Sequence, residues 1–473
     1  MTNDELSGIL PSGNLLLVGA TVEEAWLSDN SDWLAGAVPF KLVRTLSDDA
    51  KSHFQSKGAQ VDSDERASSF TPAVATTLFS MPGKNIPDDV NPSLCIERWY
   101  QLYDDARTLV SGIPPIVGLE CLVLHDPGSV AKTHSAIVVV HLQGLEGCDN
   151  PGVLDGAESA RQQSHHLYET IRKPNGLKKT LEALASFVGE GFDLSPRSGD
   201  RERSAFCYPV FTVMDLHADN DEHVLAAREL STLTPSAMHG SARSEEERVN
   251  RARNDLKRLS DSWCASITSR GMVFMSQGLT RHEAAPLYVS SIYADAIAAT
   301  FLVRAALTEL DLGAHRALNT NHRLSRLTTD LETLLQARQR FFRVTEHLSR
   351  LHLSESKILS IILSDVRDNF GLDTLEEHVA ERIADLMETA ALRREFAKAK
   401  LEEEAAIRQN WTNVILATLA LISVPLTVLY GLIGLLNSAP RFHIWSVGGT
   451  VMIIFVGGIV ILWMFLQRKM SSR

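Results

Sequence analysis

The chain has 473 residues, 44% of them hydrophobic and 22% charged, a globular composition that excludes a disordered tract or a disulfide-stapled miniprotein. A net charge of −12, from 46 basic against 58 acidic residues, argues against a nucleic-acid polymer as partner, because phosphate-backbone affinity needs a dense basic surface. The charge is unevenly placed. Residues 411–473 hold no Asp or Glu and four basic residues, Arg441, Arg468, Lys469 and Arg473, so the first 410 residues carry −16 and the last 63 carry +4. Five scattered cysteines, Cys95, Cys121, Cys148, Cys207 and Cys264, fit a reducing compartment better than a disulfide framework or a zinc ribbon. The opening Met-Thr-Asn-Asp-Glu-Leu has neither the basic nor the apolar region of a signal peptide, so the large N-terminal part is expected in the cytoplasm.

In chain order, strand-like runs are expected at 14–20, 40–46, 76–81, 116–124, 135–142, 205–215 and 272–276. Helices are expected between some of them, at 96–110, 158–172, 177–188 and 244–267. This alternation predicts an α/β domain within 1–317, with the sheet order open. Residues 195–204 and 234–247 read as turn-rich loops. Residues 287–310 are apolar, but Asp295 and Arg304 interrupt them, so they read as a buried helix of the domain.

Two amphipathic helices, 318–351 and 354–370, follow and can return antiparallel along a stalk, which assigns 318–372 to stalk packing. The stalk helix, 373–413, is expected to open at Asp373 with Glu376 three residues on, a capping-box pattern after Gly371. Its apolar positions Leu375, Val379, Ile383, Leu386 and Ala390 recur at spacings of three and four. There is no Pro or Gly from Thr374 to Val424, so one helix is expected to run without a break from stalk into membrane.

Residues 414–436 and 444–466 are two 23-residue stretches without a charge. Each is ~35 Å long as a helix, enough to cross a hydrocarbon core of ~30 Å. Basic residues precede the first span (Arg393, Arg394, Lys398, Lys400, Arg408) and follow the second in the tail 467–473. The positive-inside bias therefore puts both termini in the cytoplasm and the loop 437–443 outside, in a multi-pass protein of the inner or plasma membrane. Trp411 and Trp463 fall at the inner interface, Phe442 and Trp445 at the outer one.

The first span carries small and polar residues on one helical face: Asn410, Asn413, Ala417, Ala420, Val424, Thr427, Gly431 and Gly434. Small residues at such spacings let any two membrane helices approach closely. Several copies around an axis would instead turn each position into a ring of hydroxyls, amides and carbonyls, which suits a cation that keeps its water.

The 28 residues from Asn410 to Asn437 resemble, without a gap, the pore helix of the CorA-type magnesium and cobalt transporters and their ZntB zinc-transporting relatives. Pro425-Leu426-Thr427 falls on the family's Pro-Leu-Thr, Gly431 on its pore glycine, Gly434 on the glycine of its Gly-Met-Asn signature, and Asn410 on an asparagine at the cytoplasmic mouth. The resemblance implies a homopentamer with a central pore, lined by Asn410, Asn413, Leu416, Ala417, Ala420, Val424, Thr427, Gly431 and Gly434. It also implies a divalent cation, magnesium or another, as substrate or regulator, with Asp365 and Asp368 as candidate regulatory ligands between protomers. The filter region departs from the family. Gly434-Leu435-Leu436 stands where Gly-Met-Asn is expected, with Asn437 one position late and ~100° round the helix. Arg441 and His443 also replace the acidic residues of the family's outer loop.

The expected fold class is therefore an α+β/α membrane protein, an N-terminal cytoplasmic α/β domain with a long stalk helix continuing into the first of two C-terminal transmembrane helices. No motif points to an enzyme or an organic cofactor. Asp215 to His223, His165-His166 with Glu169, and Lys132-Thr133 read as surface turns or polar faces rather than metal or phosphate sites. Three functional readings stay open: a divalent-cation channel gated by its cytoplasmic domain, a sensor or effector on the same scaffold opened by a nucleotide or protein partner, and an assembly platform with a closed pore.

Overall fold

The computed structural model describes residues 12–28, 32–41, 60–61, parts of 66–79, 95–125, 133–143, 154–194, 207–235 except 215, 244–276 except 262, 285–319, 327–345, 356–436 and a few between 449 and 458. The chain forms two compact units, one of residues 1–321 with 329–387, the other of 322–328 with 388–473.

The first unit is built on an eleven-stranded mixed sheet. Its longer strands are β1 (Leu15–Glu23), β2 (Cys95–Arg107), β3 (Ile116–His125), β4 (Thr133–Leu142), β5 (Cys207–Met214), β6 (Leu256–Ser260), β7 (Trp263–Ile267) and β8 (Met272–Ser276). They lie side by side in the order β6-β7-β8-β5-β1-β4-β3-β2. All of these neighbours pair antiparallel except β5 and β8, which run parallel with Val210 opposite Met272.

Four central runs are buried residue after residue, such as Leu15-Leu16-Leu17-Val18 and Ile137-Val138-Val139-Val140. Successive side chains of a strand point to opposite faces, so both faces must be covered. On one face Leu16, Val18, Val138, Val140, Phe211 and Val213 pack with helices α1 (Gly156–Leu167), α2 (Pro174–Val188) and α3 (Asp221–Thr232). Helix α4 (Glu245–Asn254) packs outside α3. On the other face Tyr208 meets Phe301 of α5 (Ala294–Asn319) and Phe370 of α7 (Lys357–Phe370), with ring centroids 5.0 and 5.6 Å away. Helix α6 (Leu327–Val344) precedes α7, and α8 (Leu372–Leu436) follows it.

Several expectations are corrected. The helix expected over 96–110 is instead strand β2 as far as Arg107, because Ile96, Arg98 and Tyr100 alternate into the interior; the charge of Arg98 mimics a helix's polar face while the side chain is buried. The helix expected over 244–267 stops at Asn254, and β6 with β7 forms a hairpin whose second strand is buried throughout. At 76–81 no strand is seen among the described residues; Ala75 and Leu78 are helical, and the Phe79 N–H donates to the Ala75 carbonyl. Residues 318–319 end α5, and the helix expected over 318–351 is described only as α6. Asp373 does not cap α8. Gly371, at φ +57°, ends α7 and its carbonyl accepts the Leu375 N–H, while the Asp373 carboxylate goes to Arg367. The buried helix expected at 287–310 is α5 with the π-helical turn Val289–Tyr293 before it.

That turn locks the start of β1. The Gly13 N–H donates to Ser290 Oγ at 3.0 Å, and Thr212 Oγ1 donates to the Gly13 carbonyl at 3.1 Å. Gly13 sits at φ +68°, and a Cβ there would lie 2.3 Å from Thr212 Oγ1 and 3.1 Å from the Pro286 backbone. Gly13→Ala is therefore expected to destabilise the first unit by about 2–4 kcal/mol, from combined backbone strain and overpacking. A lowered midpoint in thermal unfolding followed by near-UV circular dichroism checks this.

Candidate functional site

Helix α8 is one uninterrupted helix of 65 residues with Pro425 inside it. Two helical stretches of the described chain are long and apolar enough to cross a membrane, and burial separates them. The most apolar 18 residues of Ala285–Asp311 are 94% buried, so it is a core helix, whereas the corresponding window of α8 has no buried residue. Trp411, Val424 and Tyr430 are 63%, 62% and 73% exposed. The second expected span, 444–466, the loop 437–443, the tail 467–473 and Asn437 fall wholly or almost wholly outside the described residues.

Asn410, Asn413, Leu416, Ala417, Ala420, Val424, Thr427, Gly431 and Gly434 are all exposed, and Leu435 and Leu436 end the helix. Leu416 aside, these positions follow strict 4-and-3 spacing over ~36 Å, a heptad repeat that keeps one face toward a common axis only if the helices wind left-handed around it. The hydroxyls along the span bond within the helix. Thr418 Oγ1 donates to the Val414 carbonyl and Thr427 Oγ1 to the Ser423 carbonyl, both at 2.7 Å. Each hydroxyl proton is thus used, leaving the oxygen lone pairs of Thr427 to accept or coordinate. Pro425 has no N–H to give the Leu421 carbonyl, which adds an acceptor one turn below.

Gly431 and Gly434 tell the same story by contrast with Gly13. A Cβ on either would meet nothing among the described residues within 4 Å. Glycine in a helix costs roughly 1 kcal/mol relative to alanine, and packing among the described residues gives no reason for it here.

The other candidates are placed as follows. Asp365, on α7, has Oδ1 3.3 Å from Lys257 Nζ, while Asp368 is exposed one turn on. Burial pushes the Asp365 carboxyl above the ordinary range, with Lys257 opposing and Asp368 adding to the shift. The Asp215–His223 stretch is the N-terminal turn of α3 where described. Asn220 caps it by accepting from the Glu222 N–H, and the His217 N–H donates to His223 Nδ1 at 2.9 Å. His165 and His166 lie in the last turn of α1, and Glu169 is paired with Lys173 at 2.7 Å. Lys132 lies outside the described residues. No group of three or more metal-binding side chains occurs among the described residues.

A groove of about 740 Å³ opens between α6, α7 and the first turns of α8. Phe341, Phe342, Ile383 and Met387 line it, and the Arg367 pair with Asp373 lies at its edge.

The sequence reading missed a buried ionic network. Asp295 of α5 accepts from both Arg66 and Arg98, its Oδ2 lying 2.8 Å from Arg66 Nε. Glu120 of β3 lies 3.3 Å from Arg66 and 3.6 Å from Arg98, and His141 Nε2 is 3.4 Å from Glu120. All five side chains are at most 3% exposed. Arg98 also stacks on Phe79, 4.6 Å from the ring centroid. Burial alone would raise the Glu120 carboxyl, but the two guanidiniums overcome it and hold it far below the usual carboxylate range. The signals were present, as a lone Asp in an apolar helix and charges at alternate strand positions, but only pairing in space gives them meaning.

No protein-family model matches the chain, and no curated protein or solved structure matches it.

Replacing Asp295 by Asn leaves two buried guanidiniums with one carboxylate and is expected to cost about 3–5 kcal/mol in denaturant unfolding. Because the folded Glu120 carboxyl titrates below its unfolded value, its stabilisation is complete above ~pH 4.3 and lost as pH falls toward the folded value. Glu120→Gln should therefore flatten the acid limb of a stability-versus-pH curve while lowering stability at neutral pH.

Proposed function

We propose that this chain is the subunit of an oligomeric membrane pore, a CorA-like channel for divalent cations gated by its N-terminal domain, with five copies around the axis. The observation that carries the proposal is the single helix α8. It leaves a buried amphipathic start, continues without a break, and ends in an apolar segment bare on every side with its small and polar residues in heptad register. A bare apolar surface of that length is stable only when lipid or other copies cover it.

In this reading Thr427, the free Leu421 carbonyl and the backbone at Gly431 and Gly434 coordinate a partly hydrated ion, and Val424, Ala420 and Ala417 form the apolar constriction. Asn410 and Asn413 line the cytoplasmic mouth. A ligand of the domain shifts gating only through different affinity for the open and closed states. The groove between α6, α7 and α8 is where a small molecule or protein segment can act on the start of the pore helix.

A second reading is favoured by one observation. Gly434-Leu435-Leu436 lacks the signature side chains, and no carboxylate follows residue 410 to attract a divalent cation from outside. In that case the same scaffold is a sensor or effector, opened by a nucleotide or protein partner, that leaks ions with little selectivity.

Reconstitution in liposomes separates the two. The first reading expects flux of magnesium, cobalt, nickel or zinc above that of potassium, raised several-fold by Val424→Gly and abolished by Thr427→Trp. Potassium leak as large as the metal flux supports the second. Oligomeric protein that passes no ion even with Val424→Gly overturns the pore itself.

A further inference from the structure

Almost every large apolar side chain of the first unit is covered. Among its described residues only Leu34, Leu335 and Phe342 are left exposed, and two of these three share one face of α6, seven residues apart. Phe342, 48% exposed, lines the groove between α6, α7 and α8, whose floor includes the buried Phe341 and Ile383. The walls are held in place without an occupant. Arg340 of α6 and Arg382 of α8 are both tied to α5, at Glu309 and Asp311, with contacts of 3.2 and 2.6 Å.

Size and shape set the kind of occupant. On α8 the lining runs from Asp373 to Met387 at the spacings of one helical face, a length of ~21 Å or about four turns. A helix ~10 Å across displaces about 1,600 Å³ over that length. A groove of about 740 Å³ therefore takes a little under half of it, the apolar side, and leaves the polar side in water. Leu335, 41% exposed, lies outside the lining on the same face as Phe342 and carries the apolar surface past the groove. A compact small molecule would leave Leu335 bare.

The two walls differ in charge. Residues 334–344 of α6 hold three arginines and no acid, whereas α8 contributes Asp373, Glu376 and Glu377. Arg367 of α7 contacts Asp373 and lies 3.8 Å from Glu376, so these groups compensate one another. One unpaired charge remains on each wall. Arg338 lies over the Phe342 ring, 5.5 Å from its centroid, and Glu377 is exposed; neither has an ion-pair partner among the described residues. An apolar stripe thus runs between a cationic wall and an anionic one.

We infer that this groove docks an amphipathic helix of a partner protein, lying along α8 with its apolar stripe on Phe341, Phe342 and Ile383, an acidic edge toward Arg338 and a basic edge toward Glu377. Docking of this kind takes its affinity from the apolar anchors, while exposed ion pairs at the edges add little each and select the partner by sign. For an effect on flux the inference rests on the pore reading; docking itself does not need it.

Designed peptides test this on the full-length chain in phosphatidylcholine nanodiscs, with fluorescence anisotropy as the readout and empty nanodiscs as background. Three labelled peptides of about four helical turns share one leucine stripe and differ at its edges: glutamate on one and lysine on the other, glutamate on both, or lysine on both. The mixed peptide is expected to bind several-fold tighter than the other two. Glu377→Lys should move the preference to the all-glutamate peptide and Arg338→Glu to the all-lysine one; both positions are exposed, so neither change disturbs packing. Ala384→Trp, which narrows the groove, should abolish binding of the mixed peptide. Equal affinity for the three peptides, or preferences that ignore the two charge reversals, overturns the assigned partner. Binding no greater than to empty nanodiscs, or unchanged by Ala384→Trp, overturns docking in the groove. Cross-linking of Ala384→Cys between copies of the chain, above the parent background, overturns the partner in favour of a second copy. None of these outcomes touches the pore reading, which metal flux in liposomes decides separately.

Discussion

Apolar surface must be kept from water, and this chain solves that constraint in two ways. In the first unit every strongly apolar run finds a partner: strands such as Leu15–Val18 and Ile137–Val140 are covered on both faces, and the apolar stretch Ala285–Asp311 is sunk into the domain. The apolar half of α8 has no such cover among the described residues. Its backbone is nonetheless satisfied internally, as a helix requires in a medium without water, and Thr418 and Thr427 return their protons to its own carbonyls. What remains is bare apolar side-chain surface among the described residues.

The same contrast runs through the charges. Asp295, Glu120, Arg66, Arg98 and His141 are almost wholly enclosed and meet one another across β2, β3, β4 and α5, so the network pins helix to sheet in one arrangement. Losing either guanidinium or either carboxylate strands a charge in a low-dielectric interior. The charges of residues 388–404 are exposed and worth little individually.

Glycines follow the division too. Gly13 is required by its own neighbours, through positive φ and the contact with Thr212, whereas Gly431 and Gly434 have open space where a side chain would be.

The sequence by itself determined the elements whose periodicity is local: β1, β3, β4, β5 and β8, helices α1 and α2, the buried reading of 287–310, and the long helix from Gly371 through Pro425. The stripe from Asn410 to Gly434 was legible because helical spacing alone places residues on one face. Tertiary structure decided β2 and the β6–β7 hairpin. There the charged residues Glu97, Arg98, Lys257 and Arg258 mimic a helix's polar face, and only strand pairing or a partner such as Asp295 for Arg98 reveals the true period. It also decided the start of α8, where Asp373 turns to Arg367 instead of the backbone, and the ionic network drawn from residues 66, 98, 120, 141 and 295. Local patterns fix which side of an element is apolar, but what that side meets, and whether a buried charge has a partner, depends on contacts between residues far apart in the chain.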